Sequence, residues 1–168
     1  MTHLNRYKTL IISIWIGNWP QYFTLFVRSI SYNVDFNWLV VSDQQKCPYM
    51  ADNMLFKSIT SEDLSKLITE KLGFTVNISN PLKLCDLKPA FGHIFSDHLE
   101  NYDYWGYCDL DLVTGNLKKY VHPLYEAGVD VISFYKSFLS GPLCLFKKST
   151  HTLELYKKVQ GYRAILMD

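Results

Sequence analysis

Apolar residues along this chain fall into short runs whose period switches between that of a strand and that of a helix. Thr9 to Ile16 is a run rich in β-branched residues stopped by Gly17-Asn18, the pattern of a strand covered on both faces. After Pro20, the positions Tyr22, Leu25, Phe26, Ser29 and Ile30 recur at helical spacing within Gln21 to Tyr32, and proline suits the first turn of that helix. Trp38 to Ser42 predicts a second strand ending at Asp43, and strand, helix, strand in this order predicts a parallel βαβ unit. Gln44 to Asn53 shows no period and predicts a loop, and Met54 to Ile59 a third strand. Thr60-Ser61-Glu62-Asp63 has the form of a capping box, after which Leu64, Leu67, Ile68 and Leu72 give the buried stripe of a helix stopped at Gly73.

Phe74 to Ile78 predicts another short strand. Pro81 onward runs into a helix ending near Glu100, with Leu87, Phe91, Ile94, Phe95 and Leu99 on one face and Pro89 in its first turn. Tyr104 to Cys108 is aromatic, short and bounded by turn residues, as a buried strand is. Leu117 to Ala127 predicts a helix closed by Gly128, Val129 to Phe134 and Pro142 to Phe146 predict strands, and Thr150 to Val159 a last helix. No internal repeat or low-complexity linker interrupts the alternation. The expectation is one domain over residues 1–168, of α/β class, with a mostly parallel Rossmann-like sheet and a site at the carboxyl ends of its central strands.

Composition sharpens this in three respects. A hydrophobic content of 48% over 168 residues supports a packed core. Seventeen Lys and Arg against sixteen Asp and Glu leave a net charge of +1, which gives no broad basic field for nucleic acid. Cys47, Cys85, Cys108 and Cys144 form no C-x-x-C pair; three of the four stand in apolar surroundings and are expected as small core residues in a reducing compartment. Arg6 and Lys8 ahead of Leu10 imitate a signal peptide, but Gly17-Asn18-Trp19-Pro20 offers no small-residue cleavage site. No run reaches the ~20 apolar residues of a membrane span. The expected location is the cytoplasm, including a peripheral position at the inner face of the membrane.

Candidate chemistry concentrates where the aromatic strand ends, at Asp109-Leu110-Asp111. On an extended backbone, residues i and i+2 share a face, so the two carboxylates would project together as hard oxygen ligands for Mg²⁺ or Mn²⁺. The alternative is a pair of turn-forming Asp residues bonded to nearby amides. Asp86 and Lys88 would stand at a helix entrance, where a helix N-terminus favours anions; alternatively Asp86 is an ordinary cap and Lys88 a solvated charge.

The stretches Lys83-Leu84-Cys85-Asp86-Leu87-Lys88-Pro89-Ala90-Phe91-Gly92 and Tyr104-Trp105-Gly106-Tyr107-Cys108-Asp109-Leu110-Asp111 resemble an uncharacterised group of bacterial glycosyltransferase-like proteins with the GT-A fold. Ile16 to Phe23 and Ser140 to Lys147 also look like that group, so the resemblance spans nearly the whole chain. It implies a nucleotide-diphosphate sugar donor such as a UDP-sugar, a saccharide or lipid-linked acceptor, Mn²⁺ or Mg²⁺ as cofactor, and a role in bacterial polysaccharide biosynthesis. Matched by position, Asp86 and Lys88 would contact the nucleoside, and Asp109 and Asp111 the metal or ribose. Trp15, Ile16, Gly17, Asn18 and Asp43, at strand exits, would complete the nucleotide pocket. GT-A transferases usually run longer, so the resemblance implies a truncated or reduced member; the acceptor-side base is not assignable among His122, His151 and Asp130.

Two rival readings remain. Asp109-Leu110-Asp111-Leu112-Val113 also satisfies the nucleophile motif of haloacid-dehalogenase-like phosphatases, with Ser133 as a second-motif hydroxyl, although the later acidic pair such enzymes need is missing after Val113. The other is a nucleotide-sugar-binding module that keeps the scaffold without turnover.

Overall fold

A computed structural model describes residues 6–167. The first five residues and Asp168, which the single-domain expectation includes, lie outside the described residues. Six strands form one sheet in the order β3-β2-β1-β4-β6-β5, comprising β1 (Thr9–Trp15), β2 (Phe36–Ser42), β3 (Met54–Ser58), β4 (Tyr104–Cys108), β5 (Val131–Ser133) and β6 (Leu143–Lys147). β1 pairs in parallel with both β2 and β4, and β2 with β3. β6 is antiparallel to β4 and to β5. The sheet is thus mostly parallel and flanked by helices, as an α/β pattern requires.

Strand parity sorts the core into two layers. Leu10, Ile12, Leu39, Val41, Trp105, Tyr107, Cys144 and Phe146 belong to one cluster, while Ile11, Trp38, Val40, Tyr104, Cys108, Leu143 and Leu145 belong to the other. Both faces are therefore buried, which accounts for the near-continuous apolar runs. Helices α1 (Phe23–Ser31) and α5 (Leu117–Glu126) cover the second cluster through Phe23, Phe26, Ile30, Val121 and Tyr125. The first is covered by α2 (Ser61–Leu72) and by the short helices α3 (Lys83–Leu87) and α4 (Phe91–Ile94), with α6 (Thr150–Leu153) and α7 (Tyr162–Met167) further along the chain. Thr60 caps α2 by accepting from the Asp63 amide, and Gly73 ends it at φ 76°.

Several expected elements are shorter or absent. Phe74 to Ile78 forms no strand: Val76 and Ile78 are buried against the first cluster instead of pairing in the sheet. The helix expected from Pro81 to Glu100 is broken into α3, a 3₁₀ turn at Lys88–Ala90, α4 and a second 3₁₀ turn at Ser96–His98. Pro89 lies in the first of these turns, where it lacks the N–H that a continuous helix would use. The last helix likewise divides into α6 and a 3₁₀ turn at Leu155–Lys158. Of the cysteines, Cys108 and Cys144 are buried, Cys47 is half-buried and Cys85 is exposed, and all are free thiols. The core therefore takes Cys108 and Cys144 outright, Cys47 packs half-buried against the second cluster, and Cys85 stays outside.

Glycine decides how closely β4 is packed. A Cβ on Gly106 would stand 2.5 Å from the Cys144 carbonyl oxygen and from Leu145 Cδ2, and one on Gly92 would stand 2.4 Å from the Trp105 ring. Trp105 in turn stacks on Phe146 at 4.3 Å and 14°. Gly106→Ala is expected to lose about 1–3 kcal/mol or more by forcing β6 away, whereas Gly115→Ala, which meets nothing within 4 Å, should stay within about 0.5 kcal/mol of wild type. Urea unfolding of the two variants checks this.

His98 supplies a pH dependence. Its Nε2 lies 3.1 Å from Lys57 Nζ, so the lysine donates to a neutral ring, and protonation would set two cations in contact. Burial first, and Lys57 second, lower its pKa from the ordinary 6.5. A depressed pKa means that the unfolded chain binds the proton more readily, so this contribution is present above about pH 6.5 and lost as pH falls through the folded value. His93 and His122 are shifted the same way, burial again leading. Unfolding free energy should fall between about pH 7 and 5, and less steeply in His98→Gln; equal slopes would refute the assignment.

Candidate functional site

β1 and β4 run in parallel, with Ile12 beside Tyr107, so both strands deliver their next residues to the same end of the sheet. The connection after β1 leads toward β2 on one side, and β4 lies on the other, which makes this the point where strand order reverses. A cavity of about 330 Å³ opens there, lined by Ile14, Trp15, Ile16, Pro81, Leu82, Leu84, Cys85, Lys88, Phe91, Cys108, Asp109, Leu110 and Asp111. Its walls are mainly apolar, and the charges on them are Lys88, Asp109 and Asp111.

Asp109 continues the face of Trp105 and Tyr107, which is the face that α3 and α4 cover. The two aspartates reach the cavity from a turn, not from a strand: β4 ends at Cys108, and the Leu112 amide donates to the Asp109 carbonyl at 3.4 Å. Both aspartates border the cavity, but the extended backbone on which the shared-face expectation rested stops at Cys108. Leu110, between them, is buried in the second cluster. Asp111 is exposed, and Asp109 is held by an ion pair from Lys88 Nζ to its Oδ1.

Burial raises the Asp109 pKa above the usual carboxylate value; Lys88 opposes this, and Asp111 adds to it. Lys88 Nζ also donates to the Gly141 carbonyl at 3.1 Å and stands 5.9 Å from the centre of the Tyr107 ring. The Asp109 amide donates to the Pro142 carbonyl at 2.9 Å, and the Tyr107 hydroxyl to the Ser140 carbonyl at 2.9 Å. The segment entering β6 is thereby stitched to the end of β4. Cys108, wholly inside, has its thiol pushed up by burial and is no nucleophile.

The expected nucleotide residues divide. Trp15, Ile16 and Lys88 line the cavity; Gly17, Asn18, Asp43 and Asp86 do not. Asp43 accepts the Gly17 amide at 2.9 Å, and Asn18 offers its carbonyl to Trp15 Nε1 at 2.8 Å, so these residues shape the turn after β1, with Gly17 at φ 102°. Asp86 faces the other way: it pairs with Lys83 at 3.1 Å and borders a separate apolar cavity with Pro89, Tyr156 and Leu166. It lies inside α3 and is not a cap. Sequence reasoning missed the walls Leu84, Cys85 and Phe91 and the carbonyl of Gly141. Helical spacing relates Leu84, Cys85, Lys88 and Phe91, but their apolar members looked like core.

Carboxylate oxygens suit Mg²⁺ or Mn²⁺, yet no group of three or more His, Cys, Asp or Glu side chains able to hold a metal ion occurs among the described residues. Asp109 and Asp111 supply two carboxylates, so any such ion would need waters or a ligand phosphate to complete its shell. Ser133, the second-motif hydroxyl of the phosphatase reading, is engaged within its own loop: its Oγ donates to the Phe138 carbonyl and accepts from the Tyr135 and Ser140 amides. Among the described residues no helix is long and apolar enough to cross a membrane.

Removing the Asp43 carboxylate leaves the Gly17 amide without its partner, so Asp43→Ala is expected to cost about 1–3 kcal/mol. Asp43→Asn, which keeps an acceptor oxygen, should cost less. Chemical denaturation of both variants checks the order.

No curated protein matches the chain. A family match covers residues 11–168, which includes β4, α3 and the whole cavity wall. The chain belongs to the family of unknown function DUF6625.

Proposed function

We propose that this chain is the nucleotide-diphospho-sugar-binding domain of a metal-dependent glycosyltransferase of GT-A type, moving a sugar from a UDP-sugar or similar donor to a saccharide or lipid-linked acceptor. The observation that carries the reading is the convergence of Asp109, Asp111 and Lys88 on one apolar-walled cavity at the strand-order reversal. Apolar walls at Ile14, Leu84 and Phe91 shield Lys88 and Asp109 from part of the solvent, which strengthens electrostatics between them. Lys88 offers positive charge to a diphosphate leaving group, and Asp111, exposed, is free to take a cation or a ribose hydroxyl. A divalent ion held by Asp109 and Asp111 would supply further charge stabilisation as the glycosidic bond breaks.

A second reading, a donor-binding module without turnover, is favoured by one feature: among the described residues no His or Glu lines the cavity to serve as a base.

Thermal shifts with nucleoside diphosphates and Mn²⁺ test the first reading, since a ligand that binds only the folded state stabilises it by mass action. UDP at about 100 times its Kd should add roughly 2.7 kcal/mol, or about 5–10 °C for a domain of this size. Asp111→Asn should lose the Mn²⁺-dependent part and keep its fold. Donor consumption then separates transferase from module. Silence toward every nucleoside diphosphate would sink both.

A further inference from the structure

The cavity already contains a cation belonging to the chain. Lys88 and Asp109 keep only 13% and 31% of their side-chain surface exposed, so the pair is largely removed from water. Lys88 has a second partner in Gly141, whereas Asp111 makes no hydrogen bond or ion pair with any described residue. A divalent ion sharing both carboxylates must therefore compete with an ammonium for Asp109 and with nothing for Asp111.

Resting on the donor-binding reading above, we propose that Lys88 is the resident counter-cation of the Asp109–Asp111 pair, displaced when metal and nucleoside diphosphate bind together. Lys88 leaves Asp109 only if another anion receives it, because an unpaired ammonium in an apolar-walled cavity is costly. The diphosphate is that anion. Its arrival frees Asp109 for the metal, and the metal's arrival frees Lys88 for the diphosphate, so each ligand raises the affinity for the other by the same factor. Lys88 thus acts on phosphate oxygens rather than on the nucleoside. The exchange also removes the Gly141 tether, which links the site to the exposed loop of Phe134, Tyr135 and Phe138.

The test is Mn²⁺ titration by calorimetry, with and without UDP, on the whole chain. In wild type, Mn²⁺ alone should bind weakly and UDP should tighten it by roughly 5- to 150-fold. In Lys88→Met, Mn²⁺ alone should bind several-fold tighter than in wild type, UDP should bind more weakly, and the coupling should shrink. Lys83→Met changes net charge equally from outside the cavity, where Lys83 pairs with Asp86, and should leave Mn²⁺ affinity unchanged. Lys88→Gln, which loses the charge but keeps an amide donor for Asp109 and Gly141, repeats the measurement should the methionine variant fold poorly. In wild type, amide exchange across residues 134–142 should quicken when Mn²⁺ and UDP are both present. Unchanged or weaker Mn²⁺ binding in both Lys88 variants, or an equal gain in Lys83→Met, overturns the proposal while wild-type UDP binding leaves the donor reading standing. Loss of all UDP binding in wild type overturns both.

Discussion

The close approach of β6 to β4, which only a glycine at position 106 permits, is the constraint on which the site depends. The antiparallel β6 reaches the sheet centre because the Cys144 carbonyl and Leu145 side chain occupy the space that a Cβ at Gly106 would need. Register then sets Leu143 beside Cys108. The residues just before β6 consequently fall against the residues just after β4: Pro142 accepts from the Asp109 amide, and Gly141 from Lys88. Backbone packing in mid-sheet thereby fixes the position of the charges at its end. Gly92 performs the same service on the helix side, letting α4 lie flat on Trp105 and so bringing Lys88, a turn earlier, over the end of β4.

Parity carries the rest of the placement. Alternate residues of β4 face opposite layers, Trp105 and Tyr107 toward α3 and α4, and Tyr104 and Cys108 toward α1 and α5. Carried one step beyond the strand, that alternation turns Asp109 toward Lys88 and sends Leu110 into the opposite layer. The chain bends there, yet Asp111 still borders the same cavity. Leu110, buried between them, anchors the turn from which both aspartates border the cavity.

What the sequence made legible follows from which signals are local. Strands buried on both faces announce themselves as apolar runs, and the capping residues of α2 state their own boundary; these were readable because the physics lies within a few residues. The aspartate pair was readable for the same reason. Phe74 to Ile78 shows the limit: a short apolar run is buried whether or not it pairs, and pairing depends on a neighbour that periodicity does not reveal. Pro81 to Glu100 shows another, since its apolar stripe is real but Pro89 breaks the backbone that carries it. Asp86 and Lys88 stand two residues apart and looked like one entrance. On helical backbone that spacing separates directions, which sends Asp86 to Lys83 and Lys88 to Asp109. The Gly141 carbonyl carried no side-chain signal at all.

A partly buried ion pair is a poor stabiliser, because desolvating both groups offsets much of their attraction. An apolar pair of similar volume would fill the same space at no electrostatic cost. Burial lifts the Asp109 pKa while Lys88 pulls it back, so the ion pair works against its surroundings. That arrangement makes little sense as scaffold, given that Trp105, Phe146 and the glycines already secure the packing around it. It fits the proposed exchange of one cation for another, because the apolar walls make each change of partner energetically large. In that exchange Asp111, left in solvent, would provide the first foothold. On the proposed reading, the cavity wall that makes the pair costly to bury is also what would let a diphosphate and a divalent ion, arriving together, compete for it.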